Sequence, residues 1–241
     1  MSVDNPSGKL KYQCVAFDAV GTLIHATPSV PKAYHSIGHR YGCRLELGEI
    51  QRRFQDVFSK RQLSETTSEE EEFQYWRRIV GEVIGEVEQA DACFEELYNH
   101  FAKPESWSVS PHAAETIQQL QLAGVQVAVA SNFDVRLHSV FDGHPGLKDI
   151  SIRIISSEIG WRKPNLKFYE SLISRANCLP SQILMIGDDL QNDVLAAQDA
   201  GLAALHYVPG NVGHQNETDE YATQIRSLDQ LRPQFLYYLG K

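Results

Sequence analysis

Apolar positions along the chain fall into two regimes. From Pro28 to about Glu105 they recur at helical spacing: Ala33, Tyr34, Ile37 and Tyr41; then Ile50, Phe54, Val57 and Phe58; then Phe73, Trp76, Ile79, Val80 and Val83; then Phe94, Leu97, Tyr98 and Phe101. Gly42 and Pro104 close the first and last stripes. Ser68 with Glu71 three residues on forms a capping box that opens the third. The acidic run Glu69 to Glu72 falls at that helix start, where it complements the macrodipole and reads as a solvated helix end rather than a metal site. This stretch predicts a small helical bundle without strands.

Elsewhere, short apolar runs alternate with helical stretches. Strands are predicted at Cys14–Phe17, Val125–Ala130, Ile150–Ile155, Ile183–Ile186 and Leu202–Val208. Helices are predicted at His112–Ala123, Val135–Phe141, Asn165–Ala176, Leu190–Ala200 and Leu228–Leu239, with loops over Ile24–Pro31 and Pro209–Thr223. Strand–helix alternation implies a parallel sheet covered by helices on both faces. The fold class is therefore α/β, a Rossmann-like doubly wound parallel sheet interrupted after its first strand by a helical insertion. Residues 1–27 and 106–241 are expected to form the core and residues 28–105 the insertion.

Composition narrows the function. A chain of 241 residues is long enough for such a core plus an insertion. The net charge of −9, with no cluster of Lys and Arg, argues against a nucleic-acid surface. Met1 to Tyr12 is polar and lacks the apolar centre of a signal peptide, and no apolar run approaches a bilayer span. Cys14, Cys43, Cys93 and Cys178 are widely spaced and form no CxxC pair, so reduced thiols in the cytoplasm are expected rather than zinc or disulfides.

Candidate chemistry gathers at strand ends. Asp18 ends the first strand and is followed by a Gly21-Thr22 turn; alone it would read as a turn-capping Asp. Ser131-Asn132 end a second strand, Lys163-Pro164 stand at a helix mouth, and Asp188-Asp189, with Asp193 close behind, end another strand. In a parallel sheet these ends share one edge, where open α/β sheets collect their ligands.

The stretches Asp18-Ala19-Val20-Gly21-Thr22-Leu23, Ser131-Asn132, Gly160-Trp161-Arg162-Lys163-Pro164 and Gly187-Asp188-Asp189-Leu190-Gln191-Asn192-Asp193 resemble the four ordered motifs of the haloacid dehalogenase-like superfamily. The helical insertion resembles that superfamily's type 1 cap. The resemblance implies an inserted α-helical cap domain and a hydrolase in which Asp18 is the nucleophile, forming a covalent aspartyl intermediate. It also implies a Mg²⁺ site made by Asp18, Asp188 and the backbone carbonyl of Val20, an all-oxygen set suited to that ion. Lys163 would counter charge on the nucleophile and the transferred group. Ser131 and the amides of Asn132 and Gly21, beside Thr22, would hold its oxygens, although Ser131 alone reads nearly as well as a turn cap. Asp189 would touch a metal-bound water or cap its helix. Asp193 would orient Lys163 or a water. The expected substrate is a small phosphorylated metabolite, with no nucleic-acid or membrane partner.

One position departs from the pattern. Most phosphatases of the superfamily carry a second Asp two residues after the nucleophile, as acid and base; here it is Val20. Losing such a group costs about 10²–10⁴-fold in rate. Three readings follow. The first is a phosphohydrolase with a good leaving group, or with a substitute such as His25 or His35. The second is a 2-haloacid dehalogenase, whose halide needs no proton. The third is a non-catalytic binding protein. A phosphonate hydrolase would need a cap lysine, and Lys32, Lys60 and Lys103 carry no motif. The overall pattern is similar to the haloacid dehalogenase-like hydrolase domain-containing protein 3 branch, which also lacks the second Asp.

Overall fold

A computed structural model describes residues 10–60, 64–210 and 223–231. Among the described residues, the core is a six-stranded parallel sheet. Its strands are β1 (Cys14–Phe17), β4 (Gln126–Ser131), β5 (Ile152–Ile155), β6 (Ile183–Gly187), β7 (Ala203–Tyr207) and β8 (Gln224–Ile225), in the spatial order β5-β4-β1-β6-β7-β8. Chain order therefore runs outward from β1 in both directions. The switch point lies at the carboxyl end of β1, between β4 and β6.

The period of two along a strand explains why both faces are covered. Val15 and Phe17 of β1 join a cluster with Ile117 and Leu120 of α5 (Ala113–Leu122) and with Leu137, Val140 and Phe141 of α6 (Arg136–Asp142). Cys14 and Ala16 point the other way, toward Phe168, Tyr169 and Leu172 of α8 (Leu166–Ala176) and Ala197 of α9 (Ala196–Asp199). Every β1 residue is buried, so the strand reads as one apolar run.

The helical stretch is α1 (Val30–Arg40), α2 (Leu47–Ser59), α3 (Glu69–Ile84) and α4 (Ala90–His100). These helices close on a core of their own containing Tyr34, Ile37, Ile50, Ile79, Val83, Phe94 and Leu97, the residues of the four stripes. Ser68 caps α3 as its pattern predicts, accepting from the Glu71 N–H at 3.3 Å. The protein is thus a doubly wound α/β core with an inserted helical cap.

Local differences from the sequence reading are few. Ile24–Ala26, predicted as loop, is strand β2, paired antiparallel with β3 (Trp107–Val109). That pair joins the two chain passages between the sheet and the helices. Ser156–Ile159 forms a one-turn helix, α7, directly after β5. The predicted Leu190–Ala200 helix opens with a π-helical turn, Leu190–Leu195, before α9. The predicted final helix has only a short 3₁₀ turn at Leu228–Gln230, and its remainder past Leu231 lies outside the described residues, as do most of the Pro209–Thr223 loop and the first nine residues. Among the described residues, no helix is long and apolar enough to cross a membrane.

Candidate active site

The carboxyl edge of the sheet forms the floor of a cleft of about 450 Å³ roofed by α2, α3 and the two residues Ser64 and Glu65. Asp18, Val20, Ser131, Asn132, Lys163, Asp188, Asp189 and Asp193 all line it, from four separate stretches of chain. The switch-point topology brings them together.

Lys163 is the hub of the floor. Its Nζ donates to Asp18 Oδ1 at 2.7 Å, to Asp193 Oδ1 at 2.6 Å and to the Ala130 carbonyl at 2.9 Å. All three side chains are buried, and an ammonium removed from water is tolerable only when paired in this way. Burial works to lower the Lys163 pKa, yet Asp18 and Asp193 hold it above the ordinary lysine value. Asn132 fixes the lysine's backbone: its Nδ2 donates to the Lys163 carbonyl at 2.9 Å and its Oδ1 accepts the Lys163 N–H at 2.8 Å.

The carboxylates are crowded. One oxygen from each of Asp18, Asp188 and Asp193 lies within 4.8 Å of the others. Burial pushes the Asp18 carboxyl up to about 7, with Lys163 opposing and Asp193 and Asp188 adding to the rise. Asp188 is raised by burial and by Asp193. Glycines make this crowding possible. A Cβ on Gly21, whose φ is +98°, would stand 2.3 Å from Asp188 Oδ2. One on Gly187 would stand 2.1 Å from Asp193 Oδ2. The π-turn carries Asp193 back to the strand end, where its Oδ2 accepts the Asp189 N–H at 3.1 Å.

Several predicted roles are redistributed. Thr22, expected beside the transferred group, is fully buried and donates to Asp188 Oδ1 at 3.2 Å instead. The Gly21 N–H, expected as an oxyanion donor, is committed to the Ile24 carbonyl at 3.0 Å. Asp189, by contrast, takes one of its two expected roles and caps the π-turn, accepting from the Gln191 and Asn192 N–H groups at 3.0 and 2.9 Å, and these bonds keep its carboxyl below the ordinary value against burial. His25 faces Ser110 Oγ at 3.0 Å and His35 packs against His39, with ring centres 4.1 Å apart; neither lines the cleft, and neither do Lys32, Lys60 or Lys103.

The roof brings residues to which the sequence assigned no role at the site, and Glu72, read with Glu69 to Glu71 as a solvated helix end, is instead buried. Phe58, Ser64, Glu65, Glu72, Tyr75 and Trp76 line the cleft from above. Residues 65–67, just ahead of α3, dock on the floor backbone: Arg162 N–H donates to the Glu65 carbonyl at 2.9 Å and Thr67 N–H to the Gly160 carbonyl at 3.2 Å. Buried Arg162 spans the junction, pairing with Glu72 at 2.7 Å and donating to Thr67 Oγ1 at 2.9 Å. Arg162 lies inside a recognised motif, so its position beside Lys163 was the available signal. The Glu72 partner follows only from the docked helix.

A family model described as haloacid dehalogenase-like hydrolase matches residues 12–201. The chain belongs to the haloacid dehalogenase-like hydrolase family. Among relatives, a haloacid dehalogenase-like hydrolase domain-containing protein 3 from Bos taurus is 26% identical over 208 residues, covering 80% of this chain and 81% of its own. A ribulose-1,5-bisphosphate 5-phosphatase from Halopiger xanaduensis is 27% identical over 171 residues, covering 70% and 72%. The crystal structure of a dehalogenase with an intermediate complex superposes with a TM-score of 0.69 at 18% identity, covering 95% of this chain and 100% of that one. A haloacid dehalogenase-like hydrolase fold thus serves both phosphoryl and carbon–halogen chemistry, and the fold alone does not choose between them.

Proposed function

We propose that this hydrolase is a Mg²⁺-dependent phosphohydrolase of a small phosphorylated molecule, with Asp18 as nucleophile. The carrying observation is Asp18, held 2.7 Å from Lys163 with a carboxylate oxygen of Asp188 inside the same 4.8 Å cluster. The donor set fits the ion: it is all oxygen, and its carboxyls are raised by burial, as expected where further positive charge is wanted. Asp18, Asp188 and the Val20 carbonyl would hold the ion. Asp193 is engaged by Lys163 and the Asp189 N–H, so it serves better as an orienting group. When bound, Mg²⁺ would offset repulsion between the nucleophile and a phosphate dianion.

The chain's own groups do the rest. Lys163 keeps one Asp18 oxygen fixed and leaves the other to attack phosphorus. The Ser131 hydroxyl and the Asn132 amide, at the end of β4, would donate to the transferred oxygens. Residues 28–105 would act as a cap domain on a core of residues 1–27 and 106–241, with the β2–β3 pair at the hinge, and closure would exclude water. Free Cys14, Cys43, Cys93 and Cys178 are consistent with the cytoplasm.

Val20 favours a second reading, a 2-haloacid dehalogenase, because halide leaves without a proton. The Asp188 carboxylate beside Asp18 weighs against it, since it would repel a carboxylate substrate unless a cation stood between them. The test is product release by purified protein with and without Mg²⁺. Phosphate release from aryl or acyl phosphates that needs Mg²⁺ and vanishes in Asp18→Asn supports the first reading. Chloride release from 2-chloropropionate, unaffected by chelator, overturns it. Silence on every substrate, with Mg²⁺ bound, leaves a binding protein.

A further inference from the structure

The proposed phosphohydrolase chemistry leaves open what the phosphoryl group is attached to, and the cleft itself constrains this. The first constraint is proton supply. Breaking an alkyl phosphate ester expels an alkoxide, which needs an acid within reach. Each carboxyl lining the cleft is already engaged as an acceptor. Glu65 accepts from Asn165 Nδ2 at 2.6 Å and Glu72 from Arg162 at 2.7 Å. Asp188 accepts from Thr22 at 3.2 Å, Asp189 from the Asn192 N–H at 2.9 Å, and Asp193 from Lys163 at 2.6 Å. Asp18 is itself the attacking group. At the position beside it, where an acid would reach the leaving oxygen, stands the Val20 side chain.

The second constraint is surface. Val20 is 41% exposed, unusual for a large apolar side chain, and it is exposed into the cleft. Phe58, Tyr75 and Trp76 line the same cleft from above, with the Tyr75 and Trp76 rings edge to face at 5.3 Å. The cleft thus sets exposed Val20 in its floor and three aromatic side chains in its roof, beside the polar Ser64, Glu65 and Glu72. The third constraint is charge. Among the described lining residues, Asp18, Asp188, Asp189, Asp193, Glu65 and Glu72 share the cleft with two cations, Lys163 and Arg162, and Arg162 is paired with Glu72. A second phosphate or carboxylate on the substrate would find no free cation among the described lining residues.

We propose that the substrate is an aryl phosphate monoester, its ring lying between Val20 and the Phe58–Tyr75–Trp76 roof and its single phosphoryl group facing Asp18 and Lys163. This rests on the phosphohydrolase reading above. The chemistry balances without an enzymic acid. A carboxylate oxygen of Asp18 bonds to phosphorus as the phosphorus–aryl oxygen bond breaks, and the electron pair leaves with an aryloxide that takes its proton from water. A second water then opens the aspartyl phosphate, giving phosphate and one proton and restoring the carboxylate. An aryloxide is a far weaker base than an alkoxide, so it departs without help. A volume of about 450 Å³ suits a ring of this size.

The test compares phenyl, cyclohexyl and acetyl phosphate with Mg²⁺. Phenyl and cyclohexyl phosphate have nearly the same bulk but differ in leaving-group basicity and in aromaticity. Wild-type kcat/KM for phenyl phosphate should exceed that for cyclohexyl phosphate by about 10²-fold or more. In Trp76→Ala the ratio of phenyl to acetyl phosphate kcat/KM should fall, by up to about tenfold. Equal rates on the phenyl and cyclohexyl esters, or a phenyl-to-acetyl ratio unmoved by Trp76→Ala, overturns the aryl assignment while the phosphohydrolase stands. No Mg²⁺-dependent release from any of the three, acetyl phosphate included, overturns both.

Discussion

The floor of the cleft holds its side chains through ion pairs and hydrogen bonds, whereas the roof holds its side chains through packing. Lys163, Asp18 and Asp193 fix one another at 2.6–2.7 Å, and Asn132 clamps the lysine's backbone from both sides. Tyr75 and Trp76 instead pack against the cap's own core, and Phe58 stacks on Phe54 with ring centres 5.3 Å apart. The floor is a set of charges that cannot be moved singly, because each would strand a buried partner. The roof is a shape, and a shape can be altered by degrees. The two meet at Arg162, Glu72 and Thr67, so the position of the roof bears directly on the residue next to Lys163.

This contrast predicts a graded set of effects. The largest belongs to the floor: Lys163→Met leaves Asp18 and Asp193 buried without their cation. It should lower unfolding stability by about 3–5 kcal/mol and abolish turnover, as read by denaturant titration and phosphate release. Next is Val20→Asp, which restores a carboxyl at the leaving-group position. Hydrolysis of cyclohexyl phosphate should rise by about 10²–10⁴-fold and that of phenyl phosphate far less. No gain on the alkyl ester would mean that the floor alone does not set the leaving-group requirement.

Smaller effects test the metal side of the floor. Gly21→Ala forces a Cβ into the Asp188 carboxylate at a positive φ, and should weaken Mg²⁺ binding by about 10–100-fold in calorimetry. The last test is of pH. The Asp18 pKa is raised from 3.8 to about 7, so the folded protein holds a proton that the unfolded chain releases. Metal-free stability should therefore decline as pH rises from about 4 to 7. Mg²⁺ must displace that proton, so its affinity should climb by up to about tenfold per pH unit below 7 and level off above. The Mg²⁺-induced gain in Tm should accordingly be larger at pH 8 than at pH 5.5.

The floor was legible in the sequence because strand ends in a parallel sheet converge whatever their separation along the chain. Asp18, Ser131, Lys163 and Asp188 needed only the strand–helix alternation to be brought to one edge. What their side chains bond to was less legible. The motif resemblance gives Thr22 and the Gly21 amide to substrate, whereas local turn geometry gives them to Asp188 and Ile24. The β2–β3 pair escaped because three-residue strands carry no period, and their partners lie on opposite sides of the helical stretch. The π-turn escaped because Leu190–Ala200 has ordinary helical spacing; only the pull of Lys163 and the Asp189 N–H on Asp193 distinguishes it. The roof was legible as helices with apolar stripes. Which residues overhang the cleft depends on how α3 docks against Gly160–Lys163, a tertiary contact that no local pattern encodes.

On the proposed reading, Asp18 takes up the phosphoryl group and Val20 leaves the second half-reaction without a base. Acid-quenched protein, mixed with phenyl phosphate and Mg²⁺ and digested for mass spectrometry, tests both halves at once. One phosphoryl group should accumulate on the peptide containing Asp18 during turnover, be absent in Asp18→Asn, and diminish in Val20→Asp. Sustained phosphate release with no covalent adduct on that peptide, or an adduct that survives Asp18→Asn, would contradict the account.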